Sequence, residues 1–228
     1  MLLAIDTSSV NCAVALKTGD ELTCAKTERI GRGHAEVLLP MIEDALRASA
    51  VEYKELTAVG VTVGPGSFTG IRVGVAAARG LGVALNIPII GVPSLMAIAK
   101  CIESELPRLI AINARREEAF CQLFCGTGHA EEVSDPFLLK PDDRLEDLGL
   151  PGTIAVAGDA AVSVTKRLQG CVSAPEIHED MEAPTIEAVA DFASSVISSG
   201  RTSDYPPKPI YLREADAKPQ AKGIVARA

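Results

Sequence analysis

Apolar positions come first in short runs broken by turns and then at helical spacing, and this alternation repeats along the chain. Leu2 to Asp6 reads as a strand, Thr7 to Ser9 as a turn, and Asn11 to Leu16 as a second strand before Thr18-Gly19-Asp20. Glu21 to Thr27 predicts a third strand. Leu38, Met41, Ile42, Ala45 and Leu46 then recur at helical spacing, predicting a helix from about His34 to Ala48 that Pro40 must start or kink. A strand at Ala58 to Val63, a Gly-rich turn, a helix from about Gly70 to Leu85, a strand at Ile87 to Val92 and a helix at Ser94 to Glu103 follow.

The chain then repeats itself. Ala111-Ile112-Asn113, a polar turn and the strand Ala119 to Phe124 echo Ala4-Ile5-Asp6, its turn and the strand Cys12 to Leu16. A repeated hairpin at the head of two α/β stretches implies an internal duplication. Pro136 to Gly152 is rich in Pro, Asp and Gly and reads as irregular connections. A strand at Thr153 to Ala157, a short helix near Val162 to Leu168 and a helix from Thr185 to Ser199 complete the pattern, the last opened by Pro184, Thr185 and the acidic Glu187. The fold class is α/β, and three strands before the first helix argue against a plain Rossmann order. The expected division is a first half over 1–104, completed by helix 185–199, a smaller second half over 105–184, and an extension over 200–228 that ends from Lys218 in a flexible basic tail.

Composition narrows the function. With 228 residues, 47% of them hydrophobic, the chain can bury a sizeable core. Thirty acidic against 22 basic residues leave a net charge of −8, which excludes a whole-surface grip on nucleic acid. Met1 to Ile5 lacks a basic n-region and meets Asp6 at once, so the expectation is a cytoplasmic chain without a secretory signal. Gly80 to Ala99 is uncharged and long enough to span a membrane, but Asn86, Pro88 and Pro93 interrupt it, and strand and helix ends are expected there instead. None of the six cysteines forms a C-x-x-C pair, and reduced core thiols are expected.

Candidate chemistry concentrates in Val63-Gly64-Pro65-Gly66-Ser67-Phe68-Thr69-Gly70-Ile71-Arg72, a Gly-rich turn between strand and helix. Its N–H groups could cradle an anion, with Gly64, Gly66, Ser67 and Thr69 as contacts, or the glycines could serve only a tight turn. The spacing meets neither the P-loop nor the G-x-G-x-x-G pattern. Asp6, Thr7 and Ser8 could add a metal-nucleotide contact or simply bond their own turn. The following helix is apolar nearly all round, so one face can pack on its sheet while the other meets a neighbouring helix or a partner subunit. Gly70, Gly74 and Ala78 at four-residue spacing would let a helix come close. His34, His129 and His178 show no zinc-type pairing, and Ser67 has no evident base. The pattern is a site-like turn without a catalytic set.

Leu3-Ala4-Ile5-Asp6-Thr7-Ser8, Gly33-His34-Ala35-Glu36 through Leu39-Pro40-Met41, Val63 through Arg72, and Tyr211-Leu212-Arg213 together resemble the TsaB (YeaZ) family. The resemblance covers nearly all of the first 100 residues and thins in the second half. It implies the actin-like ATPase fold, two duplicated α/β halves each opened by a β-hairpin. It also implies a non-catalytic scaffold or activator required with the catalytic subunit TsaD and the ATPase TsaE to threonylcarbamoylate the adenosine beside the tRNA anticodon. On this resemblance no cofactor or catalytic residue is expected, and tRNA is met only indirectly. The chain alone would form a homodimer, and no membrane is involved. The implied partner interface comprises Leu38, Met41, Ile42, Ala45, Ile71, Gly74, Val75, Ala78 and Leu81. Where the similar catalytic subunit carries a His-x-x-x-His metal pair, this chain has Ser94 and Ile98, and neither is a strong ligand. Asn113 stands where the duplicated hairpin had Asp6, and Gly158-Asp159-Ala160 only loosely resembles an adenosine loop. The rival is a free-standing actin-like-fold enzyme, a small-molecule kinase or a peptidase.

Overall fold

The computed structural model describes residues 1–126, 130–173, 175–178 and 181–213. His129 and the tail from Lys218 lie outside the described residues. The first sheet takes β1 (Leu2–Asp6), β2 (Asn11–Thr18), β3 (Glu21–Arg29), β4 (Ala58–Gly64) and β5 (Ile89–Pro93) in the order β3-β2-β1-β4-β5. β1 runs antiparallel to β2, Asp6 facing Ala13, and parallel to β4, Ile5 facing Val61. The second sheet comprises β6 (Arg108–Asn113), β7 (Ala119–Cys125), β8 (Glu131–Glu132), β9 (Phe137–Leu139), β10 (Ala155–Ala157) and β11 (Glu176–His178). Its order is β11-β10-β6-β7-β8, with β9 also on β7. Again the opening strand pairs antiparallel with its hairpin partner and parallel with the strand reached by the crossover. The duplication read from the hairpins thus extends to the whole strand order.

Period-two alternation in β1 and β2 feeds two cores. Leu3, Ile5, Val14 and Leu16 face α1 (His34–Ala48) and α2 (Phe68–Leu85), whereas Ala4, Ala13 and Ala15 face α3 (Ser94–Lys100) and α5 (Ile186–Ser198). The second face is lined with small residues so that α5 can come close. A Cβ on Gly60 would sit 2.6 Å from Cβ of Ala193. α5 therefore crosses back from the end of the chain onto the first sheet, and Lys17 anchors it with an ion pair to Asp191 at 2.6 Å. α4 (Ala161–Arg167) covers the outer face of the second sheet.

Several boundaries shift for local reasons. Pro40 lies within α1 at an exposed position rather than starting it. α2 begins at Phe68 because Ser67 caps it, accepting from the Gly70 N–H at 3.3 Å, and it ends at Asn86 in the left-handed region. The uncharged stretch from Gly80 to Ala99 is divided among the end of α2, β5 and α3. β9, β11 and a short 3-10 turn at Leu145–Leu148 occupy segments read as irregular or not assigned, since strands of three residues carry too little periodicity to announce themselves. All six cysteines are free, and burial pushes the thiols of Cys12 to about 11 and Cys121 to about 12.

Candidate functional site

The β1–β2 turn and the Gly-rich turn are locked against each other. Asp6, 1% exposed, accepts through Oδ1 from Ser8 N–H at 2.9 Å, Ser8 Oγ at 2.7 Å and Thr62 Oγ1 at 2.7 Å. Burial raises its carboxyl above the ordinary value, and the bonds from Ser8 and Thr62 oppose that rise. Thr7 Oγ1 donates to the Gly70 carbonyl at 2.8 Å, and Ser67 N–H donates to the Ser8 carbonyl at 2.7 Å. The glycines are there because carbonyls fill their Cβ positions. A Cβ on Gly66 would lie 2.3 Å from Ser8 O, and one on Gly70 would lie 1.9 Å from Thr7 O. Of the suggested anion contacts, Asp6, Thr7, Ser8 and Gly64 are buried and the first three bond within this lock, while Ser67 and Thr69 remain at the surface. The turn is a clasp between β1 and α2, built by close approach.

In the second half Asn113 and Asp159 hold one another. Asn113 N–H donates to Asp159 Oδ1 at 2.7 Å, and Asn113 Nδ2 donates to the Asp159 carbonyl at 3.0 Å. Burial raises the Asp159 carboxyl, against the bonds from Asn113. Ser94 and Ile98 both lie in the core along α3, and Ser94 Oγ has no hydrogen-bond partner among the described residues.

α2 has two distinct faces. The interface set expected from sequence requires correction here: Leu38, Met41, Ile42, Ala45, Ile71, Val75 and Ala78 are buried in the chain's own core, Gly74 is buried against Thr7 Oγ1, and Leu81 is half-buried. These positions phase with the sheet because a helix that lies on β1 and β4 must spend its most apolar stripe there, worth about 1.5–3 kcal/mol per fully buried large side chain. The outward stripe is Arg72, Ala76, Arg79, Gly80, Val83 and Ala84, with Val83 85% exposed, while Val73 and Ala77 flank it half-buried against the core. Arg72 and Arg79, seven residues apart, mark that outward phase, a signal already present in the sequence. By length and composition α2 alone among described helices could cross a membrane, yet its inner stripe is packed on the sheet.

Aromatic residues finish the upper end of this face. The Arg72 guanidinium lies 3.7 Å from the Phe68 ring centroid and donates to the Tyr211 hydroxyl at 3.0 Å, and the two rings sit 5.4 Å apart. The strap carrying Tyr211 is tied to the sheet, Gly91 N–H donating to the Tyr205 carbonyl and Ile210 N–H to the Val63 carbonyl, both at 2.8 Å. Arg213 then pairs with Glu118 in the second half. Tyr211-Leu212-Arg213 carried part of the resemblance, but nothing in its spacing announces a contact with Phe68 more than 140 residues earlier.

Two α/β halves of one strand order, each headed by a hairpin and clasped by a glycine turn, define the actin-like ATPase-fold class. Residues 27–196 match the family described as TsaD: tRNA N6-adenosine threonylcarbamoyltransferase. The tRNA threonylcarbamoyladenosine biosynthesis protein TsaB of Escherichia coli (strain K12) is 30% identical over 223 residues, 93% of this chain and 94% of that protein. Haemophilus influenzae TsaB is 37% identical over 122 residues, 52% of this chain and 51% of that protein. YeaZ from Pseudomonas aeruginosa superposes with a TM-score of 0.76 at 26% identity, covering 92% of this chain and 99% of that one. The chain belongs to the TsaB (YeaZ) family.

Proposed function

We propose that this chain works in tRNA threonylcarbamoyladenosine biosynthesis as a non-catalytic subunit that docks on a TsaD-type catalytic partner and activates it, with a TsaE-type ATPase joining the assembly. The observation that carries this reading is the outward stripe of α2. Four glycines lie inside α2, and glycine costs a helix about 1 kcal/mol relative to alanine. Gly70, Gly74 and Gly82 are explained by atoms that crowd their Cβ positions, but Gly80 faces open space beside the exposed Val83. A partner backbone approaching Gly80 would explain it and would cover an apolar patch. In the absence of that partner, a second copy would cover the same face, giving a homodimer.

The non-catalytic part of the reading draws on Ser94 and Ile98, buried where a metal pair would be needed. A kinase would want carboxylates free in both hairpins. Here Asp6 serves Ser8 and Thr62, and Asn113 engages Asp159. With a net charge of −8, tRNA is met through the assembled complex. Reconstitution of tRNA modification from the TsaD-type and TsaE-type partners and an enzyme that supplies the threonylcarbamoyl donor, with and without this chain, tests the proposal. Modification should require the chain and fail with Val83→Glu. Full activity without the chain would refute the activator role.

A further inference from the structure

The strap Tyr205 to Arg213 does more than close the chain. Together with α2 it bounds a cleft of about 340 Å³ lined by Arg72, Val75, Ala76, Arg79, Lys208, Pro209 and Tyr211. Three cations from two elements converge there in a chain whose overall charge is −8. Among the described residues no acidic side chain lines the cleft, and neither α2 nor the strap contains one. Like charges gathered without a counter-charge repel, so the arrangement favours an anionic occupant.

Each cation is held or left available in a way that suits such an occupant. Arg72 is fixed between the Phe68 face and the Tyr211 hydroxyl. Arg79 Nη2 donates to the Pro207 carbonyl at 2.6 Å, which spends one of the five donors of a guanidinium. Lys208 is exposed, and its ammonium has no hydrogen-bond or ion-pair partner among the described residues. The wall is built rather than incidental: the Pro206 carbonyl occupies the space above Gly91, where a Cβ would lie 2.4 Å away. Between the charges the floor is apolar, from Val75, Ala76 and Pro209. Ala76 belongs both to this cleft and to the outward stripe of α2, so the two surfaces are continuous.

We infer that this cleft is the electrostatic end of the docking face and seats an acidic segment of the catalytic partner, its carboxylates on Arg79 and Lys208 and an apolar side chain on Ala76 and Pro209. The inference rests on the docking role proposed above and adds the chemistry of the partner surface. It makes the strap part of the interface, and it makes docking salt-sensitive, because exposed charge pairs weaken as the screening length shortens.

The test uses the full chain and the TsaD-type partner, with affinity measured by titration calorimetry at about 50 and about 300 mM NaCl, between which the Debye length falls from roughly 14 Å to roughly 6 Å. The double variant Arg79→Glu, Lys208→Glu should melt within a few degrees of the parent, bind at least about tenfold more weakly at low salt, and lose most of the salt dependence. Val83→Glu serves as the comparison on the apolar stripe. If Val83→Glu abolishes binding while the double variant keeps the parent's affinity and salt dependence, the cleft inference fails and the docking role stands. If the parent itself does not bind, the docking role fails first. If the double variant binds its partner normally but disrupts the homodimer, the occupant is a second copy and the inference is overturned. It is likewise overturned if inorganic phosphate or ATP raises the melting temperature of the parent but not of the double variant while partner affinity is intact.

Discussion

The two hairpins that open the two halves follow one plan and are finished differently. In both, a glycine from a later turn meets a carbonyl of the opening strand or its turn. Gly70 meets Thr7 O, with its would-be Cβ at 1.9 Å, and Gly158 meets Ala111 O at 2.0 Å. In the first half the clasp is sealed, with Asp6, Thr7 and Ser8 all buried and bonded across to Thr62, Ser67 and Gly70. In the second the turn is open: Asn113 is exposed, and Arg115, Arg116 and Glu117 all stand at positive φ, which costs a non-glycine residue on the order of 1 kcal/mol each. The sealed clasp leads into α2 with 18 residues and an outward stripe, whereas the open one leads into α4 with seven. Duplication preserved the backbone approach in both halves. Rigidity was kept where a long helix must be held in one orientation.

The largest effect should come from filling the clasps. Gly70→Ala and Gly158→Ala each force a methyl into a backbone carbonyl, and each should cost on the order of 3 kcal/mol or more in chemical denaturation. Equal losses would show that both halves depend on the same contact. A small loss at Gly158 would confine the clasp to the first half.

Next in size is the contrast between the paired polar groups. Asp6→Ala leaves Ser8 N–H, Ser8 Oγ and Thr62 Oγ1 without their acceptor in a buried site, a cost of about 2–4 kcal/mol. Asn113→Ala removes only the exposed Nδ2 bond to the Asp159 carbonyl, which water can replace, and leaves the backbone N–H of residue 113 on Asp159 Oδ1, so it should cost less than about 1 kcal/mol. Comparable losses would erase the distinction between sealed and open turns.

Acidity gives a third comparison. Asp6 is raised above its ordinary 3.8 by burial, so the folded state binds a proton more tightly than the unfolded one. As pH climbs from below 3.8, the unfolded chain ionises first and the Asp6 contribution to stability falls until the raised folded value is passed. Asp6→Asn has no such dependence, so its stability relative to the parent should improve as pH rises from about 4 toward neutrality. A stability of Asp6→Asn relative to the parent that stays constant or falls across that range would refute the assignment. Asp159, raised for the same leading reason, stays in both proteins and cancels from the comparison.

The smallest change belongs to the outer face of α2. Gly80→Ala meets no atom within 4 Å and removes a flexible helical residue, so the isolated chain should gain about 0.5–1 kcal/mol. Affinity for the catalytic partner should fall at the same time, since the added methyl stands where a backbone is proposed to approach. A gain in both would leave the glycine without a docking role.

Much of this molecule was legible in order along the chain. The apolar runs and their spacing located His34–Ala48 and the strands of both hairpins, because local periodicity reports whether one side of an element is buried. The paired hairpins announced the duplication. The G-P-G-S-F-T-G-I-R string announced a special turn, but not whether its glycines welcome an anion or a neighbouring carbonyl, since both demands select the same residue. Only the folded chain brings Ser8 and Thr7 onto Gly66 and Gly70 and decides for the clasp. Tertiary structure alone also set the phase of α2, turning Ile71, Val75 and Ala78 inward and leaving Ala76, Gly80 and Val83 outside. A helix apolar on every side carries little contrast from which to choose, so its orientation follows from the sheet it covers. The sequence already expects helix 185–199 to complete the first half, but the strap could not be placed from it: its partners on β4 and β5 lie more than 100 residues away, and complementarity across that distance exists only once the chain has folded.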